Sequence, residues 1–377
     1  MNGRRIWAVA RKESIHIIRD WRSLVMGIAI PILLLILFGY ALTLDVDEVP
    51  LVVWDQSGTE TSRRFISQFD GSPYFSLRRY VQTYADVEQA IDAGSALVAL
   101  IIPTDFGPDV DAGRLTRVQA IMDGSDSNTA TIVLGYVETV ARTYNQDLAI
   151  EQTARKSGRT VTVPLDLRPR VWFNADMESK NYIIPGLIAV IMMVIAAMLT
   201  SLTVAREWET GTMEQVISTP LKGSELILGK LLPYFGIGLF DVLVAVLMGE
   251  FLFRVPLRGS VALLFGMAAV FLGGALSLGM LISIVTKTQL LASQLAMVVT
   301  FLPAFLLSGF MYDISNMPNV VQAITHVVPA RYFVSLLKGI YLKGIGLELL
   351  VFEAMLLAGF GLLVLLVANL VFEKKMV

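Results

Sequence analysis

Cysteine is absent from the 377 residues, which excludes disulfides, thiolate metal sites and thiol nucleophiles. Only two histidines occur, His16 and His326, far apart in the chain, so a His/Cys zinc site has too few ligands and no metal is expected. Charge is also scarce: 16% of residues are charged, against roughly 25% in soluble domains. That argues against a soluble two-domain enzyme. The net charge of −2 supplies no basic field that would draw nucleic acid. What fills the chain instead is apolar, 55% of it, and so much hydrophobicity at so little net charge excludes intrinsic disorder.

The apolar residues are clumped. A helix needs about 20 of them to cross a bilayer. Ser23–Leu44, Tyr182–Ala205, Gly259–Thr286, Thr288–Tyr312 and Ala354–Phe372 are uncharged runs, and Leu231–Gly249 carries the single charge of Asp241. Backbone polar groups in lipid must be satisfied within the segment, so each run reads as a helix. Six transmembrane helices are expected, the first over residues 23–44 and the others within 181–377. The first run is too long for a signal core and follows a 22-residue basic stretch, so it reads as an uncleaved span.

Basic residues near the spans orient the chain. Twelve fall on one side of a six-span arrangement, six of them in residues 1–22, and five fall in the short segments of the other side. Both termini are therefore expected in the cytoplasm.

Residues 45–180 read as an extracytoplasmic α/β domain inserted between helices 1 and 2. Strands are expected at Pro50–Trp54, Ser76–Val81, Ala96–Ile102 and Arg117–Met122, with shorter ones at Thr160–Val163 and Arg170–Phe173. Helices are expected around Phe65, Ile66 and Phe69, over Ala85–Ala93, and from about Asn128 to Arg155 with Ser127 as its N-cap. The run Asp123-Gly-Ser-Asp-Ser-Asn lacks the spacing of a calcium loop and reads as a turn. With no catalytic frame, the domain reads as a scaffold that recognises or gates.

Residues 1–22 predict an interfacial amphipathic helix on membrane lipid, with Trp7, Ala10, Ser14, Ile17 and Trp21 as its apolar stripe. A second short helix is expected between spans two and three, within 206–220. Thr212 and Gln215 have capping-box spacing, and Pro220 would end the helix. Lacking a core of its own, it suits docking into another protein's groove.

The run Arg206-Glu-Trp-Glu-Thr-Gly-Thr-Met-Glu-Gln215, followed by Thr219-Pro220 and Glu225-x-x-x-Gly229-Lys230, resembles the loop signature of ABC-2 type transporter permeases. So do Phe301-Leu-Pro303, Leu307-Ser-Gly-Phe310, Met317-Pro318 and His326-Val-Val-Pro-Ala-Arg-Tyr-Phe333. At the start of the chain, Arg11-Lys-Glu13, Arg19-Asp20 and Ile30-Pro31 match as well. The large inserted domain, with Asp123-Gly-Ser125 and Asn128-Thr-Ala130, is similar to the Ybh/Yhh-type and daunorubicin-resistance-like exporters.

This resemblance implies one half of a transmembrane dimer, formed with a second copy or a paralogue. It also implies a separate cytoplasmic ABC ATPase that holds ATP and magnesium, and a periplasmic adaptor as a further partner. The coupling contact would be Glu207, Glu209, Gly211, Thr212, Met213 and Glu214. The interfacial helix, with Trp7, Arg11, Lys12, Glu13 and Arg19, would touch the same ATPase. Residues 313–345, with Met317, Pro318, Pro329, Arg331 and Tyr332, would form a re-entrant exit segment. Multidrug efflux of amphiphilic or cationic compounds across a bacterial inner membrane is the implied function.

The chain is not expected to be an enzyme or to hold a cofactor. Its nearest approach to a Walker frame, Gly223 to Leu231, has five intervening residues where four are needed, and Leu231 in place of the hydroxyl. Asp241, a lone acid in mid-span, is a candidate contact on the translocation path. Two other classes remain open: a receptor whose outer domain binds a ligand, and an ion-driven transporter. The latter predicts internal repeats and several intramembrane charges, which this sequence does not display.

Overall fold

The computed structural model describes residues 1–42, 46–157, 172–174 and 178–372. The chain divides into two units, Met1–Thr43 with Arg170–Val377, and Leu44–Pro169. The expected strand at Thr160–Val163 lies outside the described residues, as do residues 170 and 171 of the one at Arg170–Phe173.

The first helix, α1 (Gly3–Arg19), starts at Asn2, whose side chain accepts the amide of Arg4. Its buried face is Val9, Ala10, Glu13 and Ile17, laid against the helix Gly223–Leu247. The expected stripe is therefore divided: Ala10 and Ile17 are buried, while Trp7 and Trp21 are 65% and 68% exposed. Ala10 and Ile17 meet protein, whereas Trp7 and Ile18 form an adjoining outward edge, and Trp21 lies beyond the end of α1 at Asp20. The helix thus presents two apolar faces, one to protein and one outward.

Next come α2 (Trp21–Leu24), a π turn at Val25–Ala29 and α3 (Ile30–Ala41). The expected first span is interrupted here. Pro31 has no N–H to give and crowds the carbonyl one turn back, so the helix widens before it. The apolar helical stretch Gly27–Ala41 is shorter than a bilayer crossing needs.

The second unit runs β1 (Val49–Asp55), α4 (Glu60–Asp70), β2 (Phe75–Tyr80), α5 (Tyr84–Asp92), β3 (Val98–Ile102), α6 (Phe106–Asp111), β4 (Gln119–Met122) and α7 (Ser127–Ser157). Its sheet has the order β2-β1-β3-β4, parallel except for β4. The central strands β1 and β3 are apolar on both faces, as strands covered on both sides must be. Leu51, Val53, Leu100 and Ile102 pack with Phe65 and Phe69 of α4 and Val133 and Val137 of α7. Val52 and Ala99 face the other way, onto Val87 and Ala90 of α5. The cap of α7 is Asp126, not Ser127. Its carboxylate accepts the amide of Asn128 at 3.0 Å and the hydroxyl of Thr129, bonds that the longer reach of aspartate permits. Those bonds, the Thr129 hydroxyl first, hold the Asp126 carboxyl below its usual range.

The first unit resumes with α8 (Ser179–Glu209), α9 (Met213–Ile217), α10 (Gly223–Leu247), α11 (Val261–Thr286) and α12 (Gln289–Leu307). It ends with α13 (Asn319–Thr325), α14 (Pro329–Lys338) and α15 (Leu347–Val371). A π turn at Met248–Leu252 extends α10. Among the described residues five helices are long and apolar enough to cross a membrane: α8, α10 with its extension, α11, α12 and α15. With α14 extended to Lys343, α13 and α14 form a pair bent by 86° at Thr325–Pro329.

Helix α8 is the centre of this bundle, buried on every side by α3, α11, α12 and α14. Close approach makes that possible. A Cβ on Gly279 of α11 would sit 2.2 Å from the carbonyl oxygen of Ala197. Polar groups then bridge the two helices: the Thr200 hydroxyl donates to the Leu276 carbonyl at 2.9 Å, and Ser283 Oγ accepts the amides of Val204 and Ala205. Small residues and hydroxyls are the usual means of packing helices where lipid supplies no hydrophobic drive.

Candidate functional site

The C-terminal end of α8 carries Arg206-Glu-Trp-Glu209 past the apolar run without a break. There it meets α1 and the start of α10. Gly229 sets the spacing: a Cβ on it would lie 2.7 Å from Val9 and 3.0 Å from the carbonyl oxygen of Ile6, so α1 rests directly on α10. That contact brings Glu13 of α1 beside Lys230 of α10.

Lys230, only 1% exposed, lies between two carboxylates. Its Nζ is 3.3 Å from Glu13 Oε2 and 3.0 Å from Glu207 Oε1. Lys12 Nζ donates to the same Glu207 oxygen at 2.8 Å, and the Tyr234 hydroxyl donates to Glu13 at 3.4 Å. Two ammonium groups and two carboxylates thus balance at a junction of three helices. Burial by itself would lower the Lys12 pKa, but the hydrogen bond and charge of Glu207 outweigh it, so Lys12 titrates above its ordinary value. Glu207 Oε2 has no partner among the described residues.

A wider belt ties the same elements together. Arg206 reaches Asp20 at 3.2 Å and Gln289 at 3.3 Å. The amide of Asn2 donates to Glu225 at 2.8 Å, and Arg5 to the Pro220 carbonyl at 2.7 Å. Lys287 stacks over Trp208 at 4.9 Å. A cleft of about 370 Å³ opens between α1, α8, α9 and α10, bordered by His16, Arg206, Thr212 and Gln215.

The junction sorts the expected coupling residues into two groups. Glu207 and Met213 are buried at 6% and 1% and turn into the protein. Glu209 accepts the backbone amide of Gln289 at 3.2 Å and its side-chain amide at 2.7 Å, and so caps α12. Gly211, at φ +72°, Thr212 and Glu214 form the exposed edge. The expected capping box at Thr212 is not made, because its hydroxyl instead contacts Thr210 and the Glu207 carbonyl. Helix α9 ends at Ile217, before Pro220. On α1, Lys12 and Glu13 join the junction, while Trp7, Arg11 and Arg19 are exposed.

The central role of Lys230, and the parts of Tyr234 and Arg206, were not evident from the residue pattern. The motif Glu225-x-x-x-Gly229-Lys230 was the available signal, and pairing its lysine with the acid of Arg11-Lys-Glu13 would have found the contact.

Away from the junction, Asp241 on α10 is 4% exposed, and its Oδ1 has no partner among the described residues. It borders a cavity of about 10 Å³ with Pro31, Leu35, Ile188 and Met192. That is room for about one water. Met317 and Pro318 precede α13, while Pro329, Arg331 and Tyr332 open α14.

A family model described as ABC-2 family transporter protein matches residues 21–370. The YbhS protein of Escherichia coli K12, described as a probable multidrug ABC transporter permease, is 39% identical over 91% of this chain and 90% of its own length. YbhR of the same organism, described alike, is 29% identical over 92% of both chains. YhhJ, described as an inner membrane transport permease, is 27% identical over 86% of this chain and 85% of its own. The family-like motifs thus lie in a match that spans nearly the whole sequence, on a bundle of apolar helices suited to crossing a membrane several times. The chain belongs to the ABC-2 transporter family, and these relatives are permeases.

Proposed function

We propose that this chain is the membrane half of an ATP-driven exporter, working as a dimer with a second copy or a paralogue. A separate cytoplasmic ATPase binds ATP and magnesium and docks on the exposed edge Gly211–Thr212–Glu214. The observation that carries this reading is the junction of α1, α8 and α10. It fixes the end of the central helix α8, to which the short helix α9 is joined by the Thr212 hydroxyl on the Glu207 carbonyl and by buried Met213, so a push on α9 moves α8. Glu207 and Met213 act from inside, fixing the edge that the ATPase touches.

The chain crosses the membrane six times, with the interrupted helix Trp21–Ala41 as the first crossing and both termini in the cytoplasm. The basic residues supply the support for that orientation. Unit Leu44–Pro169 is then extracytoplasmic, where a periplasmic adaptor could reach it, and α13 with α14 forms a re-entrant segment at the exit. Amphiphilic or cationic drug-like compounds are the substrates, by analogy with the relatives described as multidrug permeases. Asp241, whose Oδ1 has no partner among the described residues, is the acid on their path.

The test is purification from native membranes in mild detergent, followed by mass spectrometry of what comes with the chain. A stoichiometric ATPase carrying a Walker frame, lost with Glu214→Lys, is the expected result. Recovery without one across several detergents overturns the reading in favour of a receptor.

A further inference from the structure

The opposite end of α8 carries a second polar assembly. Lys338, at the end of α14, donates to the Gly309 carbonyl at 2.8 Å and lies 3.3 Å from the ring centre of Tyr182. The Tyr182 hydroxyl donates to the same carbonyl at 3.1 Å. One turn of positive φ at Gly309, +77°, turns that carbonyl toward both. Arg331, two turns earlier on α14, uses Nη1 on Thr325, on the Gln322 carbonyl and beside His326 Nδ1. Its Nε and Nη2 bond no protein group among the described residues, and neither Arg331 nor Lys338 forms an ion pair there. Both border one open pocket of about 360 Å³, together with Ser335, His326, Asp313 and Glu353.

Half-buried basic groups with spare N–H donors and no ion-paired carboxylate call for an anion, and a guanidinium and an amine two turns apart that border one pocket suit phosphate oxygens. Neither acid of the pocket forms an ion pair with them, although the charge of Asp313 is near enough to act on Lys338. Asp313 is turned back on Ser315, accepting its amide and hydroxyl at 2.8 Å each, and Glu353 sits on α15 across the pocket. Position adds a second argument. Tyr182 and Glu207 lie 25 residues apart on one helix, roughly 38 Å at 1.5 Å per residue. A bilayer core with its headgroup regions is about 40–45 Å thick. A membrane that holds the Glu207 end at one polar surface therefore holds this pocket at the other. On α15, Leu349, Phe352 and Met355 follow at three-residue intervals and are 73%, 65% and 61% exposed, an apolar track leading from the pocket along the helix.

We propose that this pocket binds a phosphate group, held by Lys338 and Arg331, and that its natural source is a phospholipid headgroup whose chains lie along α15. The site does not depend on ATP coupling or on the identity of the exported compound.

The test measures phospholipid retained by the full chain after exchange into detergent, by phosphorus assay and native mass spectrometry. About one phospholipid per chain is expected, falling at least fivefold in Lys338→Gln and in Ser335→Glu. The second variant sets a carboxylate at the pocket mouth without removing a bond of the fold, so it remains informative if Lys338→Gln unfolds. Equal retention in the wild type and Ser335→Glu overturns the proposal, as does a wild type that retains no phospholipid and broadens no phosphorus signal of added inorganic phosphate. Broadening by the wild type alone, without retained lipid, would keep the phosphate site and assign it to a soluble ligand. Retention that excess inorganic phosphate does not displace assigns it to the headgroup.

Discussion

At the scale of single residues, the junction is governed by the cost of burying charge. Lys230 is tolerated in the interior because two carboxylates pair with its ammonium group, and they are tolerated because of Lys230 and Lys12. Removing one member of such a set leaves an uncompensated charge, which costs about 3–5 kcal/mol. Lys230→Met should therefore lower stability by about that much, read as a fall in the unfolding midpoint of the detergent-purified chain. Adding Glu13→Gln should restore most of the loss, since Glu207 then still pairs with Lys12 and no carboxylate is left over; failure to restore it would mean that Lys230 acts through packing alone. Lys12 gives the pH dependence. Its folded pKa lies above the ordinary 10.5, so its contribution is complete below that value and is lost as pH rises through the raised one. The cysteine-free chain permits a unique spin label at exposed Arg11, through Arg11→Cys. Its mobility should stay constant across the neutral range and rise only in strong alkali; a rise near neutrality would contradict this.

At the scale of elements, legibility followed from how local each cause is. The strands β1 to β4 lie close to the expected ones, β1 and β3 most clearly, because β-branched runs between turns need only their own sequence to announce them. Which face of α1 meets protein could not be read that way. Ala10 and Ile17 belong to a stripe with Trp7 by periodicity, but the shape of α10 at Gly229 selects the side carrying Val9 and Glu13. The π turn before Pro31 was likewise hidden inside a uniformly apolar run. In the candidate site, the motifs name the segments, while their division into inward Glu207 and outward Glu214 depends on a partner helix more than 190 residues away. The cap of α7 offers an element-level test. Asp126→Ala should speed amide exchange in the first turn of α7, residues 127–131, and leave the middle of the helix unchanged. In the wild type the same fraying should appear only on the acid side, below the usual carboxylate range, because the pKa of Asp126 is depressed. Ser127→Ala should have little effect; a larger effect than Asp126→Ala would refute the assignment of the cap.

At the scale of the whole molecule, the prediction concerns transmission. Glu214 is exposed and is not part of the ion-paired junction, so Glu214→Lys should leave folding intact while cutting transport-linked ATPase stimulation at least tenfold in reconstituted vesicles. Glu209→Lys should also disturb α12, since it removes the acceptor for Gln289. A Glu214→Lys chain that transports normally would move the coupling contact elsewhere. The burial of α8 has one more consequence, and it concerns time. Ribosomes release α8 before α10, α11, α12 and α14, the helices that enclose it. When newly made, it must wait in lipid with Thr200 lacking the Leu276 carbonyl and the amides of Val204 and Ala205 lacking Ser283. Biogenesis of this chain therefore passes through an interval in which its future centre is its most exposed part, and a nascent chain halted before α11 is the form that quality control should meet most often.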